Sequence, residues 1–216
     1  MGEMTKAGFP VPNGFAITIN AYDSFLLEND IAKKIYDILG ATDVNDPRQL
    51  DDASKRIQKM VVNGKLPEDV SNAIISSYRK LSGVFKKALV AVRSSATAED
   101  LGTTSFAGQQ ASFLNVEGEA NLLLKVKECW ASLFTARSIF YRVENKIKHE
   151  SVKISVIVMK MVQSEVSGVM FSIETLVTPH RTNFCTKSSY SLGACPQIET
   201  VTLCFAHFLI TLLSAQ

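Results

Sequence analysis

Residues 91–110, AVRSSATAEDLGTTSFAGQQ, form the stretch whose residue types and spacing most suggest chemistry. Arg93 ends an apolar run, a string of small hydroxyl residues follows it, and Gly108 comes 15 positions later. Phosphate binding asks for these parts. It needs a permanent cation with several N–H donors, backbone N–H groups that an anion can reach, and side chains small enough to let it approach. Arg93 would supply the fork of donors, and Gly108 would let the backbone close over the phosphates. The same pattern suits an ordinary strand–loop–strand hairpin whose arginine extends to solvent. A Gly/Ser-rich loop is a weak signal by itself, so the residues alone leave both readings open.

The elements that must position this segment can be read on either side of it. Pro10, Pro12 and Gly14 punctuate a loop, after which Phe15, Ile17 and Ile19 alternate at the period of a strand. Residues 21–62 carry helical stretches broken by a loop at 43–47, and Asn63-Gly64 makes a turn. A clearer helix follows: Pro67, Glu68 and Asp69 suit its first turn, while Val70, Ile74, Tyr78 and Leu81 mark one face. A strand at 88–93 leads into the polar segment, and a second strand at 111–116 leaves it, closed by a turn at Asn115 and Gly118. The spacing predicts the longest helix over 119–147, with Leu123, Val126, Trp130, Phe134 and Tyr141 as buried candidates. Strands at 152–162 and 169–173 complete the pattern. Helices followed by paired strands around one polar loop predict an α+β (α/β) fold.

Composition bounds the rest. A chain of 216 residues with 46% hydrophobic and 20% charged residues can bury a core, which argues against disorder. The formal charge of +2 gives no electrostatic reason to expect nucleic acid or an anionic membrane as partner. No apolar stretch is long enough to span a bilayer, and the first residues lack the pattern of a secretory signal, so the expectation is a cytoplasmic chain. Residues 181–216 hold only 3 of the 44 charged residues but three of the four cysteines, Cys185, Cys195 and Cys204. With no CxxC pair and no histidine at ligand spacing, zinc has no support, and all four thiols are expected reduced.

Beyond the polar segment, several motifs are recognisable in order. VAVRSSATAEDL, SFAGQQ with FLNV, CWASLFTARSIFYR and SEVSGVMFS closely resemble the N-terminal nucleotide-binding domain of the phosphoenolpyruvate synthase and pyruvate phosphate dikinase family, shared with rifampin phosphotransferase. The opening KAGFPVPNGFAIT is also similar to it, so the resemblance runs to about Glu174. It implies an ATP-grasp-like domain of two lobes, incomplete here, with ATP between them. In complete members the phosphoryl group passes to a histidine on a swivelling domain and then to pyruvate, turning ATP, pyruvate and water into AMP, phosphoenolpyruvate and phosphate. By the same resemblance Arg93 contacts the ATP phosphates, Gly108 lies in the loop that covers them with Gln109 beside it, and Ser112 faces the nucleotide. Lys160, Met161 and Val162 match the hinge strand whose backbone holds adenine. Arg137 and Arg142 match a basic pair. For Arg137, a phosphate-facing role and a helix-surface salt bridge both stay open.

The departures bear equally on function. The family's Gly-Gly-Lys-Gly segment, whose lysine reaches the phosphates, would precede Met1. Met159 stands where the hinge usually has glutamine. The acidic strand and the Glu and Gln residues that hold Mg²⁺ in the family have no counterpart after SGVMFS, and His149, His180 and His207 lack a phosphohistidine motif. Residues 1–175 are therefore expected to form an ATP-binding domain truncated at both ends, and 176–216 a divergent tail outside it. The tail is read as irregular, or else as a cover for an exposed sheet edge. The rival to an ATP-dependent phosphotransferase domain is a catalytically dead remnant or interaction module. No metal ligand is assigned.

Overall fold

A computed structural model describes residues 5–83, 87–96, 111–163, 167–171, 185–189 and 207–208. Contacts divide the chain into two units, residues 1–161 and 162–216. The first unit opens with β1 (Gly14–Ile17) and four helices, α1 (Ile19–Glu28), α2 (Ala32–Gly40), α3 (Pro47–Asn63) and α4 (Glu68–Leu81). Then come β2 (Val90–Ala96), β3 (Ser112–Val116), α5 (Glu119–Ala131), α6 (Ala136–Glu144) and β4 (Ile154–Lys160). The strands form one antiparallel sheet in the order β1-β4-β2-β3. Mixed helices and a small antiparallel sheet make the architecture α+β.

Local chemistry sets the boundaries of these elements. Asp46 caps α3, accepting from the N–H of Arg48 at 2.9 Å and of Gln49 at 3.4 Å, with Pro47 in the first turn where its missing N–H costs nothing. At 17 residues α3 is the longest helix described. The single helix expected over 119–147 is instead two. After α5 the chain tightens into a 3₁₀ turn at Ser132–Phe134, and Thr135 turns extended to cap α6, accepting from Ser138 N–H at 3.2 Å. A threonine that caps cannot also continue the preceding helix, and the apolar periodicity runs through the break without marking it.

Alternation in β4 builds the core. Ile154, Val156 and Val158 are fully buried, while the residues between them are only partly so. Val90 and Val92 of β2 share that face, and α5 packs onto β2, β3 and β4. Trp130 of α5 is wholly buried against Phe25 and Tyr22 of α1, with ring centroids 4.9 Å and 5.7 Å away. The Tyr78 hydroxyl donates to the Ala88 carbonyl at 2.7 Å and accepts from Gly118 N–H at 2.9 Å, so α4 ties the start of β2 to the turn after β3. Cys129 is a free thiol in this core, pushed up to about 12 by burial, which keeps it protonated and unreactive.

The second unit contains β5 (Ser167–Phe171), flanked by β6 (Cys185–Ser189) and β7 (His207–Phe208), both antiparallel to it. Strands β6 and β7 come from the stretch expected to be a tail. The other residues of 176–216 lie outside the described residues.

Candidate functional site

The two faces of the four-stranded sheet differ in kind. Opposite the valine face, the backbone register sets Ala16 of β1, Ile157 of β4, Arg93 of β2 and Ser112 of β3 in one row. Gly14, Met159 and Ala91 make the next row, and Ser95 pairs with Ser155 beyond Arg93. Ala91 apart, these residues are half-buried or exposed.

A bulge makes Arg93 and Ser112 meet. Val90 pairs with Val116 and Val92 with Phe113, so Ala91 alone opposes both Leu114 and Asn115. Asn115 accommodates the extra residue at φ 55°, in the left-handed region that asparagine tolerates. The turn expected at Asn115 is thus a bulge inside β3. The strand continues to Val116 and turns at Gly118, φ 85°. Without the extra residue the tip of β3 would shift by one, and Ser112 would leave the face that carries Arg93.

Arg93 is half-buried, and its Nε, shielded from solvent, has no hydrogen-bond acceptor among the described residues. Buried donors are ordinarily paired, and a guanidinium has five of them, so this one has donors to offer an anion. Ser94, pointing to the other face, fixes the strand by donating from its hydroxyl to the Ala111 carbonyl at 3.0 Å. Gly108 and Gln109, the expected phosphate loop, lie outside the described residues.

The hinge residues lie at the end of β4. The Lys160 N–H donates to Asn13 at 2.9 Å and the Met161 N–H to Leu89 at 2.8 Å, so both are engaged within the first unit. Lys160 is exposed and Met161 half-buried. Val162 begins the second unit.

The basic pair on α6 is split. Five positions separate Arg137 from Arg142, which on a helix turns them about 140° apart. Arg137 is exposed and makes no ion pair among the described residues. Arg142 is 1% exposed, lying 5.7 Å over the Phe134 ring and donating from Nε to His149 Nδ1 at 2.9 Å. Burial pushes Arg142 down to about 10, and burial with the neighbouring guanidinium pushes His149 down to about 4. His149 is thus a satisfied imidazole. The sequence did not reveal that Arg142 is its partner, although Ser138, Ile139 and Arg142 fall on one buried helical stripe. Among the described residues no three His, Cys, Asp or Glu side chains converge where a metal ion could sit. No described helix is long and apolar enough to cross a membrane.

Comparison with known proteins gives this geometry a family. The model of the pyruvate phosphate dikinase AMP/ATP-binding domain matches residues 1–195. A probable phosphoenolpyruvate synthase of Archaeoglobus fulgidus is 49% identical over 173 residues, covering 80% of this chain and 23% of that protein. A probable phosphoenolpyruvate synthase of Staphylothermus marinus is 45% identical over 197 residues, covering 89% and 24%. The phosphoenolpyruvate synthase of Aeropyrum pernix is 45% identical over 196 residues, with the same coverage. The chain therefore spans about a quarter of the length of these relatives. A match to 195 of 216 residues, with relatives this similar, leaves one conclusion: the chain belongs to the pyruvate phosphate dikinase AMP/ATP-binding domain family.

Proposed function

We propose that this chain binds ATP on the Arg93–Ser112 face of its sheet, as the ATP-binding domain of a phosphoenolpyruvate synthase-like phosphotransferase. The observation that carries the reading is Arg93 itself: a half-buried cation whose Nε has no acceptor among the described residues, on the partly exposed sheet face, directly opposite a small hydroxyl. In this reading Arg93 holds the phosphates, Gly108 and Gln109 close over them, and Ser112 adds a donor. Met161 packs beside adenine while the backbone of Lys160 and Val162 lines its edge, and Arg137 is a second cation for the phosphates. The fold would be ATP-grasp-like, with two lobes around the nucleotide.

Phosphoryl transfer is mostly positioning and charge stabilisation. Magnesium supplies part of that charge when it accompanies ATP. The described residues offer it no ligand cluster, and among them the contribution to the phosphates proposed here is that of Arg93, Ser112 and Arg137. Transfer onward to a histidine and to pyruvate belongs to the longer relatives' other regions, and the acceptor here is proposed from their names alone.

Calorimetric titration of the chain with MgATP tests the reading. Charge-assisted hydrogen bonds contribute about 1.5–3 kcal/mol each. Binding in the high micromolar range should therefore weaken tenfold or more in Arg93→Ala. Equal affinity in both proteins would move the site elsewhere. Heat from neither, with both folded, would favour an interaction module that binds no nucleotide.

A further inference from the structure

The contact between Arg142 and His149 has a property that follows from donor arithmetic. An arginine Nε–H can only donate, and at 2.9 Å it points at Nδ1 of His149. That nitrogen must therefore carry no proton, so the imidazole is neutral with its hydrogen on Nε2. Any proton added to the ring goes to Nδ1, where it meets the Arg142 N–H head on. The acceptor becomes a second donor beside a guanidinium, and the bond has to break.

The position of this bond gives it consequence. Arg142 lies in the last turn of α6, and His149 opens the short 3₁₀ turn His149–Ser151 that leads into β4. Between them the chain reverses through Lys146, at φ 54°, held by the Ile147 N–H on the Arg142 carbonyl at 2.8 Å. Strand β4 is a central strand, paired to both β1 and β2. The other charged and titratable groups nearby are few. Glu150 sits beside His149 in the same turn, Tyr36 of α2 and Tyr22 of α1 face Arg142, and Asp23 of α1 is held by Lys153. Glu150 opposes the effect of Arg142 on the ring, but burial and the guanidinium each act on it more strongly. Tyr22, raised by burial, stays neutral, which leaves Glu150 as the carboxylate that favours an imidazolium among the described residues.

We propose that the Arg142–His149 hydrogen bond is a proton-sensitive latch: closed while the imidazole is neutral, it opens when His149 is protonated and frees the 145–153 connection from α6. The rest of the unit keeps its valine and tryptophan core, so the opening is local and comes before global unfolding. A histidine ordinarily titrates at about 6.5, and here burial and the neighbouring guanidinium move that event down to about 4, so the latch opens only in stronger acid.

The test uses the full chain with His180→Gln and His207→Gln, which leaves His149 as its single imidazole. Nuclear magnetic resonance from pH 8 to pH 4 should show the Nε2–H tautomer persisting well below pH 6.5, with protonation at about 4. Protection factors of amides 147–153 should fall at least tenfold across that same protonation, while those of 154–158 hold. Titration at the ordinary value, or protection that ignores protonation, would overturn the latch. His149→Asn in the full chain is the second arm, since its amide oxygen can accept from Arg142 and cannot gain a proton. Its 147–153 amides should stay protected down to pH 4, and the wild-type acid response in that variant would sink the idea. If His149→Asn fails to fold, the single-imidazole titration decides by itself.

Discussion

The two faces of one sheet have opposite compositions. On the inner face, Val90, Val92, Ile154, Val156 and Val158 are each at most 0% exposed and packed under α5. On the outer face stand Arg93, Ser112, Ser95 and Ser155, half-buried or exposed. Since neighbouring residues on a strand point to opposite faces, Val92 and Arg93 divide stability and candidate function between adjacent positions. Such a division means that damage to one face should be separable from damage to the other.

The largest test strikes the inner face. Trp130→Ala removes a fully buried indole that touches Tyr22 and Phe25, and losses of this kind cost roughly 3–5 kcal/mol. Urea unfolding should show an unfolding free energy lower by that amount, with the midpoint lowered accordingly. Nucleotide affinity per folded molecule should be unchanged, and a selective loss of affinity would mean that the two faces are not independent.

Two arginines give the next contrast. Arg142→Ala deletes a buried side chain over Phe134 and leaves His149 Nδ1 without its donor, so a loss of roughly 2–4 kcal/mol in stability is expected. Arg93→Ala breaks no hydrogen bond of Nε among the described residues, and its stability should stay within about 1 kcal/mol of wild type. Its effect should appear in MgATP affinity instead. Thermal melts of the two variants side by side would settle this. If Arg93→Ala melts as early as Arg142→Ala, Arg93 is a structural arginine and the outer face loses its best argument.

Local acid sensitivity sharpens the same contrast from inside α6. The neutral histidine binds fewer protons folded than unfolded, because its folded value of about 4 lies below the ordinary 6.5. Its contribution to stability is therefore complete above about pH 6.5 and is lost as the pH falls from there towards 4. After discount for partial exposure the loss is of order 1–2 kcal/mol. An acid titration of the urea midpoint should show it in wild type and not in His149→Asn.

Much of this arrangement is legible in the sequence because it follows period and punctuation. The alternation in β4, the Pro67–Asp69 helix start and the Ile74–Tyr78 face all appear in the structure. What the sequence hid are features decided by one side chain bonding to backbone or across the fold. Thr135 splits the helix by capping, Asn115 inserts a bulge where a turn was expected, and Arg142 turns inward because a histidine seven residues on accepts from it. Periodicity averages over several residues and cannot register any of these. For the candidate site, Arg93 was legible from residue type and spacing and Ser112 from family resemblance, while their pairing and the bulge that aligns them came only from the strand register.

The smallest expected effect falls on Ser112, and it tests the alignment itself. Its side chain is exposed on β3, so Ser112→Ala should leave the unfolding free energy within about 0.5 kcal/mol of wild type. Losing one hydroxyl donor at an exposed position, where water can take its place beside the phosphate, should cost about 0.5–1 kcal/mol, roughly a two- to fivefold rise in Kd for MgATP. The bulge offers a sharper handle on the same contact. Deleting Asn115 would remove the extra residue, and a one-residue slip moves every side chain beyond it to the opposite face, Ser112 and Phe113 included. If Ser112 acts by facing Arg93, the deletion should weaken binding at least as much as Ser112→Ala, and adding Ser112→Ala to the deletion should change nothing more. A further additive loss in the double variant, measured by the same calorimetry on folded protein, would show that Ser112 works independently of its place opposite Arg93.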